Sequence, residues 1–150
     1  MSGVIVGVES TAHTLSLGFV GEDGTLFSSE TALFKPEQGG IHPREAADHH
    51  SIMAPELISR LLSREDFNQE DIVAVSFSQG PGLGPCLRIG ASVARSLSSV
   101  WSAPLIGVNH CVAHIEVGRN QTGCEDPVLL YASGGNTQVI ARAGDRYRVI

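Results

Sequence analysis

The chain has 150 residues, a length at which a single domain buries about 68–70% of the surface its unfolded form exposes, so a full hydrophobic core is within reach. Hydrophobic residues make up 42% and charged residues 17%, a globular composition that excludes a disordered or fibrous chain. The formal charge of −6 excludes a broad basic face within this sequence, so an RNA partner would have to meet positive surface supplied from elsewhere.

The three cysteines, Cys86, Cys111 and Cys124, are odd in number and form no C-x-x-C pair. That pattern fits core thiols in a reducing, cytosolic compartment. The longest apolar runs, such as 4–8, are of strand length, and Met1-Ser2-Gly3 opens neither a signal peptide nor a myristoylation site, so no membrane association is predicted. The 17 glycines, in runs such as Gly39-Gly40, 80–84 and Gly134-Gly135, point to tight turns where backbone approaches a neighbour or a phosphate.

In chain order, 4–8 is a β-branched strand, 15–20 a second and 25–31 a third, with the turn Gly21-Glu22-Asp23-Gly24 between the last two. This predicts an antiparallel meander. Residues 44–64 place Met53, Leu57 and Leu61 at helical spacing, with Ile58 and Leu62 alongside. Pro55 lies inside that stretch and removes a backbone hydrogen bond, so a kink or a new helix starting there is expected. A buried strand over 71–78 and a Gly-Pro-Gly loop lead into a helix whose first turn suits Pro85 and whose apolar face runs Leu87, Ala91, Ala94, Leu97, Trp101. A strand at 104–108, a short helix at 110–119 and strands at 127–132, 137–142 and 146–150 complete the series.

The last strands repeat the beginning. Val4-Ile5-Val6-Gly7-Val8-Glu9-Ser10-Thr11 and Val128-Leu129-Leu130-Tyr131-Ala132-Ser133-Gly134-Gly135 are both an apolar strand followed by a small polar turn, and each leads to a second strand and a turn made by Gly and Asp. Such a duplication around an α/β layer predicts two similar lobes holding a nucleotide between their hairpins. Residues 1–126 would form the first lobe and 127–150 the start of a second, in a chain cut off before that lobe is complete.

Four segments carry candidate chemistry. Ser133-Gly134-Gly135-Asn136-Thr137 offers backbone amides and side-chain donors to an anion, the alternative being a plain hairpin turn. Glu9-Ser10-Thr11-Ala12-His13-Thr14 occupies the equivalent turn of the first unit. Thr11 would join Ser133, Gly134, Gly135 and Asn136 in binding nucleotide, while Glu9 and His13 are the candidate catalytic residues. His110 and His114, four apart, fall on one helical face and could chelate a metal through neutral nitrogens, with Tyr131 as an oxygen ligand or simply a core aromatic. No Glu follows His110, so this is not the H-E-x-x-H protease signature. The stretch 39–50, with His42, His49 and His50, is either a solvated helix end or a substrate-facing wall, with His42 assigned to substrate binding. The loop 80–84 reads first as a structural turn and second as an anion site.

Together these motifs resemble the tRNA threonylcarbamoyladenosine synthases, formerly called O-sialoglycoprotein endopeptidases. The resemblance spans nearly the whole chain and is most specific from Arg95-Ser96 through Trp101, Pro104, Ile106, His110, Ala113, His114 and Ile115. Gly40-Ile41-His42-Pro43-Arg44, 9–14 and 133–137 add to it. It implies an α/β, actin-like ATPase fold of the ribonuclease H type. It also implies transfer of threonylcarbamoyl from its adenylate to N6 of a tRNA adenosine beside the anticodon, in tRNAs reading codons that begin with A. His110, His114 and Tyr131 would hold iron or zinc together with an Asp for which no position here matches, and 133–136 would hold phosphates of an ATP- or AMP-type nucleotide. His13, where bacterial members carry an acidic residue, matches the archaeal and eukaryotic branch. That branch implies partners in the KEOPS assembly, an atypical serine/threonine kinase and small accessory subunits. A non-catalytic scaffold of the same fold and a metalloprotease are the alternative readings.

Overall fold

The structure is a computed structural model that describes residues 3–64, 69–133, 136–144 and 146–150. The chain forms two compact units, 1–108 and 109–150. Position 126, the expected lobe boundary, falls inside the second unit just before its strands.

The first unit is a five-stranded sheet in the order β3-β2-β1-β4-β5. Strand β1 (Val4–Glu9), β2 (Thr14–Gly21) and β3 (Leu26–Leu33) make the predicted antiparallel meander, with Val6 opposite Phe19 and Leu17 opposite Glu30. The turn between β2 and β3 closes with Gly24 at φ 86 donating its N–H to the Gly21 carbonyl at 2.9 Å. A glycine suits that left-handed geometry because a Cβ there would strain the backbone.

Helix α1 (Pro43–Arg64) follows, then a 3-10 turn (Gln69–Asp71) and β4 (Ile72–Gly80), which runs parallel to β1. Helix α2 (Gly84–Trp101) leads to β5 (Leu105–Asn109). Helix α1 packs over β2 and β3, and α2 over β1 and β4. Alternation with period two sends Val4, Val6 and Val8 of β1 and Leu15, Leu17 and Phe19 of β2 into one cluster with Leu57 and Leu61 of α1, Val75 of β4, and Ala94 and Leu97 of α2. Each fully buried Val, Leu or Phe contributes about 1.5–3 kcal/mol relative to exposure.

Two helical expectations are corrected. Helix α1 runs as one element through Pro55 rather than restarting there. Pro55 and Ser51, whose carbonyl loses its helical donor, are both exposed, so water can serve that carbonyl while Ala54, Leu57 and Leu61 bury the opposite face. In α2 the buried face is Cys86, Gly90, Ala94, Leu97, with Leu87 and Ala91 only half-buried. Gly90 lets the helix approach Val8 and Ser10 closely, and Cys86 packs against Ala46 and Ala47 at the start of α1, contacts that hydrophobicity alone does not report.

In the second unit, α3 (His110–Thr122) precedes a three-stranded antiparallel sheet of β6 (Leu129–Ser133), β7 (Asn136–Ala143) and β8 (Arg146–Val149). Cys111 and Ile115 of α3 bury against Ile140, with Leu129, Tyr131 and Tyr147 packed around them. The strand–turn–strand start of the first unit is thus repeated, and β6-β7-β8 is again a meander. Cys86 and Cys111 are buried thiols as expected, pushed up in pKa by burial, whereas Cys124 is exposed. Among the described residues no helix is long and apolar enough to cross a membrane.

Candidate functional site

In the first unit the chemistry gathers at the β1–β2 turn. Glu9 ends β1, and its Oε1 accepts the Thr11 backbone N–H at 2.6 Å and the Thr11 hydroxyl, while its Oε2 accepts the hydroxyl of Ser78 from β4. The three following carbonyls are each held by a different element. Leu83 N–H, at the head of α2, donates to Thr11 O at 2.7 Å; the His50 ring of α1 donates from Nε2 to Ala12 O at 2.9 Å; and Phe34 N–H, after β3, donates to His13 O at 2.7 Å.

His50 is completely buried, and burial holds its pKa below the usual histidine range, with the Ala12 carbonyl opposing and His49 adding to the depression. The neutral Nε2–H tautomer satisfies both facts. The solvated-helix-end reading therefore fails for His50, while His42 and Arg44 are exposed and His49 is half-buried with its ring 5.6 Å from that of Phe34. His13 itself is exposed.

The loop 80–84 is a structural partner of this turn, in line with its first reading. A Cβ on Gly82 would lie 2.5 Å from Thr11 O, and one on Gly90 would lie 2.0 Å from Ser10 Oγ. Only glycine permits these approaches. Sequence reasoning passed over Ser78 and Gly90, and it gave His50 and Gly82 no part in holding this turn. Two signals pointed to them: a histidine among Ala46, Ala47, Ala54, Leu57 and Leu61 on one helical face, and a hydroxyl closing an otherwise apolar strand.

In the second unit α3 starts directly from β5. Asn109 caps it, its side-chain oxygen accepting the N–H groups of Cys111 at 2.9 Å and Val112 at 3.3 Å, and Gly123 at φ 68 closes it with a bond from its N–H to Arg119 O. Asn109→Ala should lower the unfolding free energy by about 1 kcal/mol in urea titration, whereas Asn109→Asp should retain the cap. Glu116 is tied to β8 by the Tyr147 hydroxyl and to Arg119, whose Nη1 lies 2.9 Å from it. These bonds, Tyr147 first, hold the Glu116 carboxyl below the usual carboxylate range.

The start of α3 brings the paired imidazoles together: His110 and His114 approach Nε2 to Nε2 at 3.2 Å, with ring centroids 4.6 Å apart. The Tyr131 ring stands 6.1 Å from that of His110 and 5.5 Å from that of His114. Two nitrogens bound to one tetrahedral ion at about 2.0–2.1 Å lie roughly 3.3 Å apart, so the pair is spaced as two ligands of a single metal. Among the described residues no group of three or more His, Cys, Asp or Glu is gathered that could hold a metal.

Ser133, exposed, pairs with Asn136 across the β6–β7 hairpin, leaving a two-residue connection. Gly134 and Gly135, the anion-loop glycines, lie outside the described residues, as does the Asn136 side chain.

A meander with helical cover, opened by a polar turn and begun again in the second unit, defines the class: an α/β actin-like lobe. The structure of YeaZ from Pseudomonas aeruginosa superposes on the whole chain with a TM-score of 0.66, covering 65% of that chain at 16% identity, which supports the fold alone. Residues 25–150 match the family described as TsaD: tRNA N6-adenosine threonylcarbamoyltransferase, and the chain belongs to that family. Proteins called tRNA N6-adenosine threonylcarbamoyltransferase from Archaeoglobus fulgidus and Caldivirga maquilingensis are 56% and 50% identical to it, each over 97% of this chain. The chain spans 44% of the length of each of these relatives.

Proposed function

We propose that the protein transfers the threonylcarbamoyl group from threonylcarbamoyl-AMP to N6 of a tRNA adenosine beside the anticodon, in tRNAs reading codons that begin with A. The observation that carries this reading is the 56% identity, across 97% of the chain, with a relative named for that activity. The N6 amine attacks the carbamoyl carbon, the new N–C bond forms as the bond from carbon to the adenylate phosphate oxygen breaks, AMP departs and N6 loses one proton.

The first-unit turn supports a nucleotide role. Its backbone is held at Thr11, Ala12 and His13 by hydrogen bonds within the chain, so little ordering entropy would be lost there on binding. Glu9, Thr11 and His13 would contact the substrate there, with His42 nearby in function. Ser133 and Asn136, with Gly134 and Gly135, would bind phosphate in the second unit. A divalent metal, iron or zinc, held by His110, His114 and Tyr131 would stabilise negative charge developing on the carbonyl or the leaving phosphate.

Partner subunits of the KEOPS type would supply the positive surface that a net charge of −6 does not. The free state of Cys86, Cys111 and Cys124 accords with a cytoplasmic setting. Protease chemistry is disfavoured because the residue after His110 is the buried Cys111, not a glutamate base.

The test is a transfer assay on the full-length protein with its partners, threonylcarbamoyl-AMP and a tRNA transcript. Threonylcarbamoyl appearing on the adenosine beside the anticodon is the expected result. No transfer, or tRNA left unmodified while glycoprotein substrate is cleaved, refutes the assignment.

A further inference from the structure

We propose that Ser78 is a positioning residue that aims the Glu9 carboxylate within the β1–β2 turn. The proposal rests on the reading above in one respect, that Glu9 acts on the substrate; the placement of Ser78 stands on the fold.

Strand order and register bring the two residues together. β4 lies parallel to β1 with Val8 opposite Phe77, so the next residue of each strand, Glu9 and Ser78, falls at the same level on neighbouring strands. The Ser78 hydroxyl donates to Glu9 Oε2, and Thr11, through its N–H and its hydroxyl, donates to Oε1. Ser78 is 8% exposed and Thr11 6%, so both sets of donors act where water competes weakly.

A carboxylate whose two oxygens are each engaged from a different side has its plane defined. Thr11 engages Oε1, and Ser78 adds a donor to Oε2. Thr11 lies in the turn that follows Glu9, whereas Ser78 sits on β4, an inner strand beside β1. Ser78 is therefore a tie from the carboxylate to the neighbouring strand β4, and the ties at Ala12 and Thr11 O hold the turn that follows. Support of this kind, from a neighbour whose own position is locked by packing, keeps a reacting group within a fraction of an ångström of its working geometry.

The experiment uses the full-length protein in the transfer assay, with thermal unfolding measured in parallel. Ser78→Ala should lower kcat/KM about ten- to hundredfold, the range set by one hydrogen bond to a charged group. Ser78→Thr, which keeps the hydroxyl, should stay within about threefold of wild type by the same reasoning. Should Ser78→Ala fail to fold, Ser78→Cys replaces it, being nearly isosteric and only a weak donor. Glu9→Gln is the reference, and the Glu9→Gln/Ser78→Ala double variant should be no worse than Glu9→Gln alone, because the two residues act as one unit.

Wild-type activity in Ser78→Ala beside an impaired Glu9→Gln overturns the positioning role and leaves the site reading intact. Equal losses in Ser78→Ala and Ser78→Thr, or additive losses in the double variant, also overturn it, since a merely structural residue would behave so. Full activity in Glu9→Gln removes the site reading and this proposal with it.

Discussion

Replacing His110 and His114 together by alanine should leave the full-length protein without the divalent metal proposed above and reduce tRNA modification by at least about a hundredfold, the loss typical of removing a main source of transition-state charge stabilisation. The pair is well suited to a clean experiment. His114 is exposed and His110 half-buried, so their removal opens little core, and the packing that holds α3 lies instead on Cys111 and Ile115. The cap at Asn109 and the tie from Glu116 to Tyr147 also remain. Thermal unfolding of the metal-free proteins should therefore differ little, while elemental analysis of the proteins as isolated should differ completely. Tyr131→Phe keeps the ring packing and removes only the oxygen, so it separates ligation from burial. Equal metal content and equal modification in the wild type and the double variant would defeat the assignment of these histidines.

Gly90→Ala should produce a large loss of stability for a single added methyl group. Its Cβ would lie 2.0 Å from Ser10 Oγ and 2.8 Å from Ser10 Cβ, well inside van der Waals contact. Ser10 cannot retreat easily: it is 1% exposed, and the turn after it is held at Thr11, Ala12 and His13 by three separate elements. Helix α2 cannot retreat without uncovering Ala94 and Leu97. Overpacking of this kind costs about 1–3 kcal/mol and occasionally more. Alanine's better helix propensity returns only about 1 kcal/mol of it. We expect a net loss of about 1–2 kcal/mol, read as a fall in the denaturation midpoint. Gly118 in α3 is the contrast, because an added Cβ there meets nothing within 4 Å. Gly118→Ala should be neutral or stabilising by up to about 1 kcal/mol. A Gly90→Ala protein as stable as wild type would show that the contact between the turn and α2 is looser than these distances imply.

The histidine pair and the glycine illustrate two different kinds of legibility. His110 and His114 are four residues apart on one helix, so their meeting follows from a rotation of about 100° per residue and needs no knowledge of the rest of the chain. Strand alternation in β1 and β2, the meander, Pro85 at the start of α2 and the repeated strand–turn–strand unit are legible for the same reason: each depends on residues within one or two elements. Where local reading failed, a neighbour in space had altered the outcome. Pro55 did not interrupt α1, since the buried side of that helix outweighs one missing hydrogen bond on its exposed side. The face of α2 turned towards Cys86 and Gly90, since Gly90 meets Ser10 of the β1–β2 turn and Cys86 meets Ala46 and Ala47 of α1.

By itself, then, the sequence determined the order and type of nearly every element, the duplicated hairpin, the paired imidazoles and, through resemblance at four motifs, the family. These are short-range periodicities of 2.0 and 3.6 residues, or patterns of residues adjacent in the chain. Only the tertiary structure decided that Ser78 meets Glu9 across 69 positions, that His50 reaches Ala12 across 38, and that Gly90 lies against Ser10. Those contacts exist because β1 sits between β2 and β4 with α1 and α2 packed over the sheet. Strand order and register arise from the burial of the whole apolar set at once, and no local spacing encodes them.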